Sequence, residues 1–175
     1  MTHPHAPQAS FTRRQALALL AASASGPLMA ANANAELAPT LEGTTPDGQR
    51  LQLAGLRGRV VLVLYWSTGC AVCRDKMREL RANLTGWQGQ PFTLLGVNMD
   101  ARAQDFARYE TLVRQTVPVP QQFTSLWAGA PGFIDSMGRP EHLPSACLID
   151  KQGRLVERYS GRIPPEAWDR IAELL

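Results

Sequence analysis

Val60-Val61-Leu62-Val63-Leu64-Tyr65-Trp66-Ser67-Thr68-Gly69-Cys70-Ala71-Val72-Cys73 is the stretch that decides the fold. Residues 60–66 are apolar without alternation, the pattern of a strand covered on both faces. Ser67-Thr68-Gly69 then gives a turn and a helix-start signal. From Cys70 to about Leu84 the spacing of Met77, Leu80 and Leu84 predicts a helix. The two cysteines therefore fall where a buried strand turns into a helix.

Working outward, Gly86 to Pro91 breaks the chain and Phe92 to Asn98 reads as a second apolar strand. Arg102 to about Thr116 reads as a helix, with Phe106, Tyr109, Leu112 and Val113 apolar. Strand, helix, strand, helix implies a parallel βαβ unit. On the N-terminal side, Leu41–Thr45 and Arg50–Leu53 flank Pro46-Asp47-Gly48-Gln49, which predicts a β-hairpin. On the C-terminal side, residues 121–142 are rich in Gly and Pro and read as irregular. Cys147-Leu148-Ile149 is a strand, residues 150–153 a turn, and Leu155–Tyr159 its antiparallel partner. Pro164-Pro165 opens a last helix to Leu175. The fold class is thus α/β, a central mixed sheet flanked by helices with an N-terminal hairpin.

The 175 residues suggest one folded domain over 36–175 behind a segment, 1–35, of different character. Arg13-Arg14 precede a short Ala- and Leu-rich run, and Ala33-Asn34-Ala35 closes the segment with small residues, so residues 1–35 read as a signal peptide cleaved near Ala35. The run is shorter than the ~20 residues that a membrane span needs. Thr12-Arg13-Arg14-Gln15-Ala16-Leu17 is similar to a twin-arginine (Tat) signal, although Ala16 stands where that motif usually has Phe. An ordinary secretory signal that carries two arginines is the other reading. Either route leads to the periplasm, where disulfides persist. Beyond Ala35 there are 16 basic and 15 acidic residues, a balance that argues against a nucleic-acid surface.

A Cys-x-x-Cys at a helix start brings two sulfurs within bonding reach. It also places the first of them among unpaired N–H groups that favour a thiolate. Cys70 then attacks a disulfide and Cys73 resolves the mixed intermediate, with no metal or organic cofactor beyond the redox-active Cys70–Cys73 disulfide. Zinc would need two further ligands, and only Cys147 and His142 are on offer. A purely structural bridge over so short a loop stabilises little. The rival reading from a different class is a copper-binding or metallochaperone module that uses the same thiolates. Cys147 reads as a buried core thiol, with a third redox partner or a site of intermolecular pairing as its alternative.

The stretch from Leu56 through Cys73, the preceding hairpin, and Leu143-Pro144-Ser145-Ala146-Cys147-Leu148-Ile149-Asp150 together resemble the exported TlpA/ResA-like branch of the thioredoxin superfamily. The resemblance spans roughly residues 41–175. It implies a thioredoxin-like fold and the activity of a thiol–disulfide oxidoreductase, working as a monomer on thiols and disulfides of exported proteins. Cytochrome c maturation or periplasmic thiol homeostasis is the implied context, with a membrane electron donor as partner. It also implies that Pro144 is a cis proline facing the cysteines, with Leu143 offering backbone to a bound substrate. Trp66, with Trp127, is a candidate to line the same substrate-binding face, with aromatic core packing as the more frequent role of such residues. Three positions depart from the family: Gly69 where Trp is common before the first cysteine, Leu64 where many relatives carry a buried acid, and Lys76 where some reductases carry Glu.

Overall fold

The computed structural model describes residues 38–175; the expected signal segment over 1–35 lies outside the described residues. Strands β1 (Leu41–Thr44) and β2 (Arg50–Gln52) form the expected antiparallel hairpin. A 3₁₀ turn over Leu53–Leu56 leads to β3 (Val60–Trp66), all seven residues of which are buried. Then come α1 (Ala71–Gly86), β4 (Phe92–Asn98) and α2 (Ala103–Thr116). The chain continues through β5 (Thr124–Trp127), β6 (Ile134–Asp135), β7 (Ser145–Ile149), β8 (Leu155–Ser160) and α3 (Glu166–Leu174).

The main sheet has the order β5-β4-β3-β7-β8. β3, β4 and β5 run parallel, and β7 and β8 are antiparallel additions. The mixed sheet flanked by helices matches the expected class. Among the described residues no helix is long and apolar enough to cross a membrane.

Residues 121–142 are less irregular than expected. β5 is the parallel edge strand of the main sheet, and β6 pairs with β1 to make the hairpin three-stranded. Thr124-Ser125-Leu126-Trp127 is too short for a period to emerge, and both Ser125 and Leu126 are buried. Pairing with β4 makes it a strand, and neighbouring Gly and Pro hide the signal.

Alternate residues of β3 feed two cores. Val60, Leu62, Leu64 and Trp66 pack with Cys73, Met77 and Leu80 of α1 and with Ile171 of α3. Val61, Val63 and Tyr65 pack on the other face with Leu41, Leu95, Val97 and Cys147. Gly96 permits a close approach in the first core, since a Cβ there would lie 3.0 Å from Trp66 Nε1 and 3.1 Å from the Phe123 ring.

The buried face of α1 also carries charge. Lys76 Nζ pairs with Glu79 at 2.6 Å, and the Arg81 guanidinium donates to Gln121 O at 2.8 Å and to Tyr109 Oη at 3.2 Å while lying over Phe123. Glu110 of α2 is buried as well. Burial raises its pKa despite the opposing pull of Arg114 and Arg81. The folded state therefore favours the protonated acid. Its contribution to stability is whole below the unfolded carboxylate range and is lost as pH rises through the raised value. Glu110→Gln should accordingly gain stability over the parent as pH rises from the unfolded carboxylate range through the raised value. Urea unfolding across that range checks this, and a difference that does not change with pH would refute it.

Candidate active site

The site forms where β3 ends. Cys70 is the N-cap of α1, with extended backbone, and its sulfur accepts from Cys73 N–H at 3.1 Å. This places Cys70 Sγ against the unpaired amides of the helix start, where the dipole also favours negative charge. Cys70 and Cys73 are joined as a disulfide, with their Cα atoms 5.2 Å apart. Cys73 is 1% exposed and belongs to the core, whereas Cys70 is half-buried and can be reached from outside. Val72 between them is exposed. Gly69 is exposed too, and a side chain there would meet nothing within 4 Å.

Opposite the pair, the Leu143–Pro144 peptide is cis, in agreement with the family resemblance. Leu143 O lies 3.6 Å from Cys70 Sγ, and Leu143 itself is half-buried. Pro144 is buried, and Ser145 Oγ donates to His142 O at 2.7 Å to close the turn. The β3–α1 junction and the loop before β7 thus meet at Cys70. They are brought together by the antiparallel pairing of β3 with β7, in which Tyr65 stands opposite Ser145.

Trp66 requires a correction. It is fully buried, with its ring 4.6 Å from that of Tyr109, so it is a core residue and not part of a substrate face. Both faces of β3 are covered, and Trp66 falls on the one packed by α1 and by Tyr109 of α2; the sequence does not show that this cover reaches the strand's last residue. Trp127 is half-buried, and its Nε1 donates to Asp100 O at 2.8 Å.

Leu64 packs in the same core as Cys73, so an apolar side chain stands at the position where the family resemblance points to an acid. Lys76 has its charge matched by Glu79, whose carboxyl is held below the usual range chiefly by that hydrogen bond. Asp75 turns outward to Arg162 at 3.0 Å. Cys147 is buried on the far face of the sheet from Cys73, with Arg158 Nη1 3.4 Å from its sulfur. It cannot serve as a third partner to the pair without crossing the sheet. Among the described residues no group of three or more His, Cys, Asp and Glu side chains is placed to hold a metal ion.

One part of the site is not anticipated by sequence reasoning. The turn before Cys70 is tied to the end of β4 by Asp100, which accepts from Thr68 N–H at 2.9 Å and from Asn98 Nδ2 at 3.0 Å. The signal was present as Asn98-Met99-Asp100, a strand end followed by a residue that can bond its neighbours' backbone.

The AhpC/TSA family profile matches residues 35–159. Thiol-disulfide oxidoreductase ResA of Halalkalibacterium halodurans is 22% identical over 130 residues, which cover 74% of this chain and 69% of that one. A thiol:disulfide interchange protein of the thioredoxin family from Chlorobium tepidum TLS superposes with a TM-score of 0.60 at 20% identity, covering 78% of this chain and 92% of its own. A DsbF homologue from Corynebacterium diphtheriae superposes with a TM-score of 0.58 at 17% identity, covering 79% and 85%. These likenesses establish the thioredoxin-like fold.

Proposed function

The chain belongs to the AhpC/TSA family, and from that premise we propose that it exchanges or reduces disulfides of exported proteins in the periplasm through Cys70 and Cys73. Its activity is that of a thioredoxin-type thiol–disulfide oxidoreductase. The observation that carries the reading is the placement of Cys70, a reachable sulfur at a helix start with a covered partner one turn inward.

In the reducing direction, the Cys70 thiolate attacks one sulfur of a substrate disulfide. A Cys70–substrate mixed disulfide forms and the other substrate sulfur leaves as thiolate. Cys73, as thiolate, then attacks Cys70 Sγ and releases the second substrate thiol. The substrate gains two electrons and the protein is left as the Cys70–Cys73 disulfide, the form seen in this structure. The oxidising direction runs the same steps backward. Leu143 O, beside Cys70, and the neighbouring backbone offer hydrogen bonds to an extended substrate strand, with Pro144 holding that edge in place. The two sulfurs are the whole redox centre, so no organic cofactor or metal is needed. The reading assigns the chain monomeric action, a membrane electron donor that re-reduces the pair, and a place in cytochrome c maturation.

Trapping tests the order of events. In Cys73→Ser the first step remains and the second is lost. The variant should accumulate mixed disulfides through Cys70 with exported proteins, visible as thiol-sensitive adducts on non-reducing gels. If the adducts instead form on Cys73 in Cys70→Ser and not the reverse, the assigned roles are wrong.

A further inference from the structure

The turn that delivers Cys70 to the helix is held from both sides. Thr68 N–H donates to Asp100 Oδ1 at 2.9 Å, and Thr68 O accepts from Arg74 Nη1 of α1 at 2.6 Å. Cys70 N–H closes the turn on Ser67 O at 3.2 Å. Asp100 is itself clamped. Its second oxygen accepts from Asn98 Nδ2 at 3.0 Å, its own N–H donates to Asn98 Oδ1 at 3.0 Å, and its carbonyl accepts from Trp127 Nε1 at 2.8 Å. Asn98 is fully buried at the end of a central strand, and Met99 N–H is bonded to Trp66 O, so the clamp has a rigid base. Each Asp100 oxygen serves one donor, and an amide in its place has only one oxygen for two donors.

We propose that Asp100 is a positioning residue for the redox pair, fixing the Thr68 peptide so that Cys70 enters α1 as its N-cap. This rests on the thiol–disulfide reading above. The geometry links the two residues through one short turn. With Thr68 held, Cys70 Sγ sits against Cys73 N–H and the helix start, which stabilises the thiolate of the reduced form. With Thr68 released, the sulfur loses that alignment and the dithiol loses stability relative to the disulfide.

The test is the redox equilibrium of the full chain with glutathione, measured for the parent and for Asp100→Ala. The expected result is a shift of about tenfold toward the protein disulfide, equivalent to a potential about 30 mV more negative. A shift toward the dithiol overturns the proposal, because that is what loss of a nearby negative charge would give. An unchanged equilibrium also overturns it, because a residue that only stabilises the fold would leave it unmoved. The pair Asn98→Asp with Asp100→Asn exchanges donor and acceptor, so the amide at 100 can accept from Thr68 N–H and donate to the carboxylate at 98. It should restore most of the parent equilibrium, and a folded pair that keeps the full shift overturns the proposal. Should Asp100→Ala fail to fold, Asp100→Asn, whose one oxygen is shared between two donors, should shift the equilibrium in the same direction by less than about tenfold, and no shift overturns the proposal. Glutathione alone is the probe. A parent that equilibrates with it but exchanges nothing with protein disulfides would undo the function above and leave this inference standing.

Discussion

Cys70→Ser should abolish turnover of protein disulfides, with a loss on the order of 10³-fold or more, since removing a covalent nucleophile costs up to about 10⁶ in rate. A serine hydroxyl at the helix start is not ionised near neutral pH and cannot form a disulfide with the substrate. Nothing else in the site can substitute. Cys73 is 1% exposed within the core, and Cys147 lies on the opposite face of the sheet. Insulin reduction by the pre-reduced protein measures the effect directly. Retained turnover in the folded variant would remove the basis of the proposed function. The fold should survive the change, because the serine keeps an oxygen that can cap α1 in place of the sulfur now accepting from Cys73 N–H.

The second large effect concerns stability. Trp66→Ala should destabilise the protein by about 3–5 kcal/mol, the range for truncating a buried large aromatic. Such a loss is a large share of the ~5–15 kcal/mol that holds a typical domain together. Trp66 is fully buried at the end of β3, packed against Tyr109 and facing Gly96. Its indole nitrogen has no hydrogen-bond partner among the described residues. Trp66→Phe therefore forfeits volume but no polar bond, and should cost less than the alanine variant. Urea denaturation of both variants gives the magnitudes. The exchange rate of the folded Trp66→Phe protein decides the other half, and a fall in that rate without a fall in stability would restore Trp66 to the substrate face.

The charges around the pair bear on the direction of electron flow. With Leu64 packed beside Cys73, no acid occupies that position to accept a proton as Cys73 becomes a thiolate. Lys76, the residue one turn beyond Cys73, is neutralised by Glu79, and Asp75 is engaged by Arg162. The charges bonded to the turn itself are Asp100, on Thr68 N–H, and Arg74, on Thr68 O, and they act on the sulfurs together with the helix start.

Much of this was legible in the sequence. Seven apolar residues, a Ser-Thr-Gly turn and Cys-x-x-Cys were enough to place two sulfurs at the junction of a buried strand and a helix, because strand burial and helix capping are local properties written in consecutive residues. The same holds for the hairpin around Pro46-Asp47-Gly48 and for the Asp150–Gly153 turn between β7 and β8. The tertiary structure decided what depends on partners distant in the chain. β5 became a strand only by pairing with β4. Trp66 was covered by α1 and by Tyr109 of α2, and Cys147 was sent to the face away from Cys73 by its place opposite Val63. Asp100, 32 residues beyond Thr68, reached it only because the parallel pairing of β3 and β4 brings their C-terminal ends together. Consecutive residues encode a strand or a cap, whereas which side chains meet across a sheet depends on register, and register is settled only when the sheet assembles.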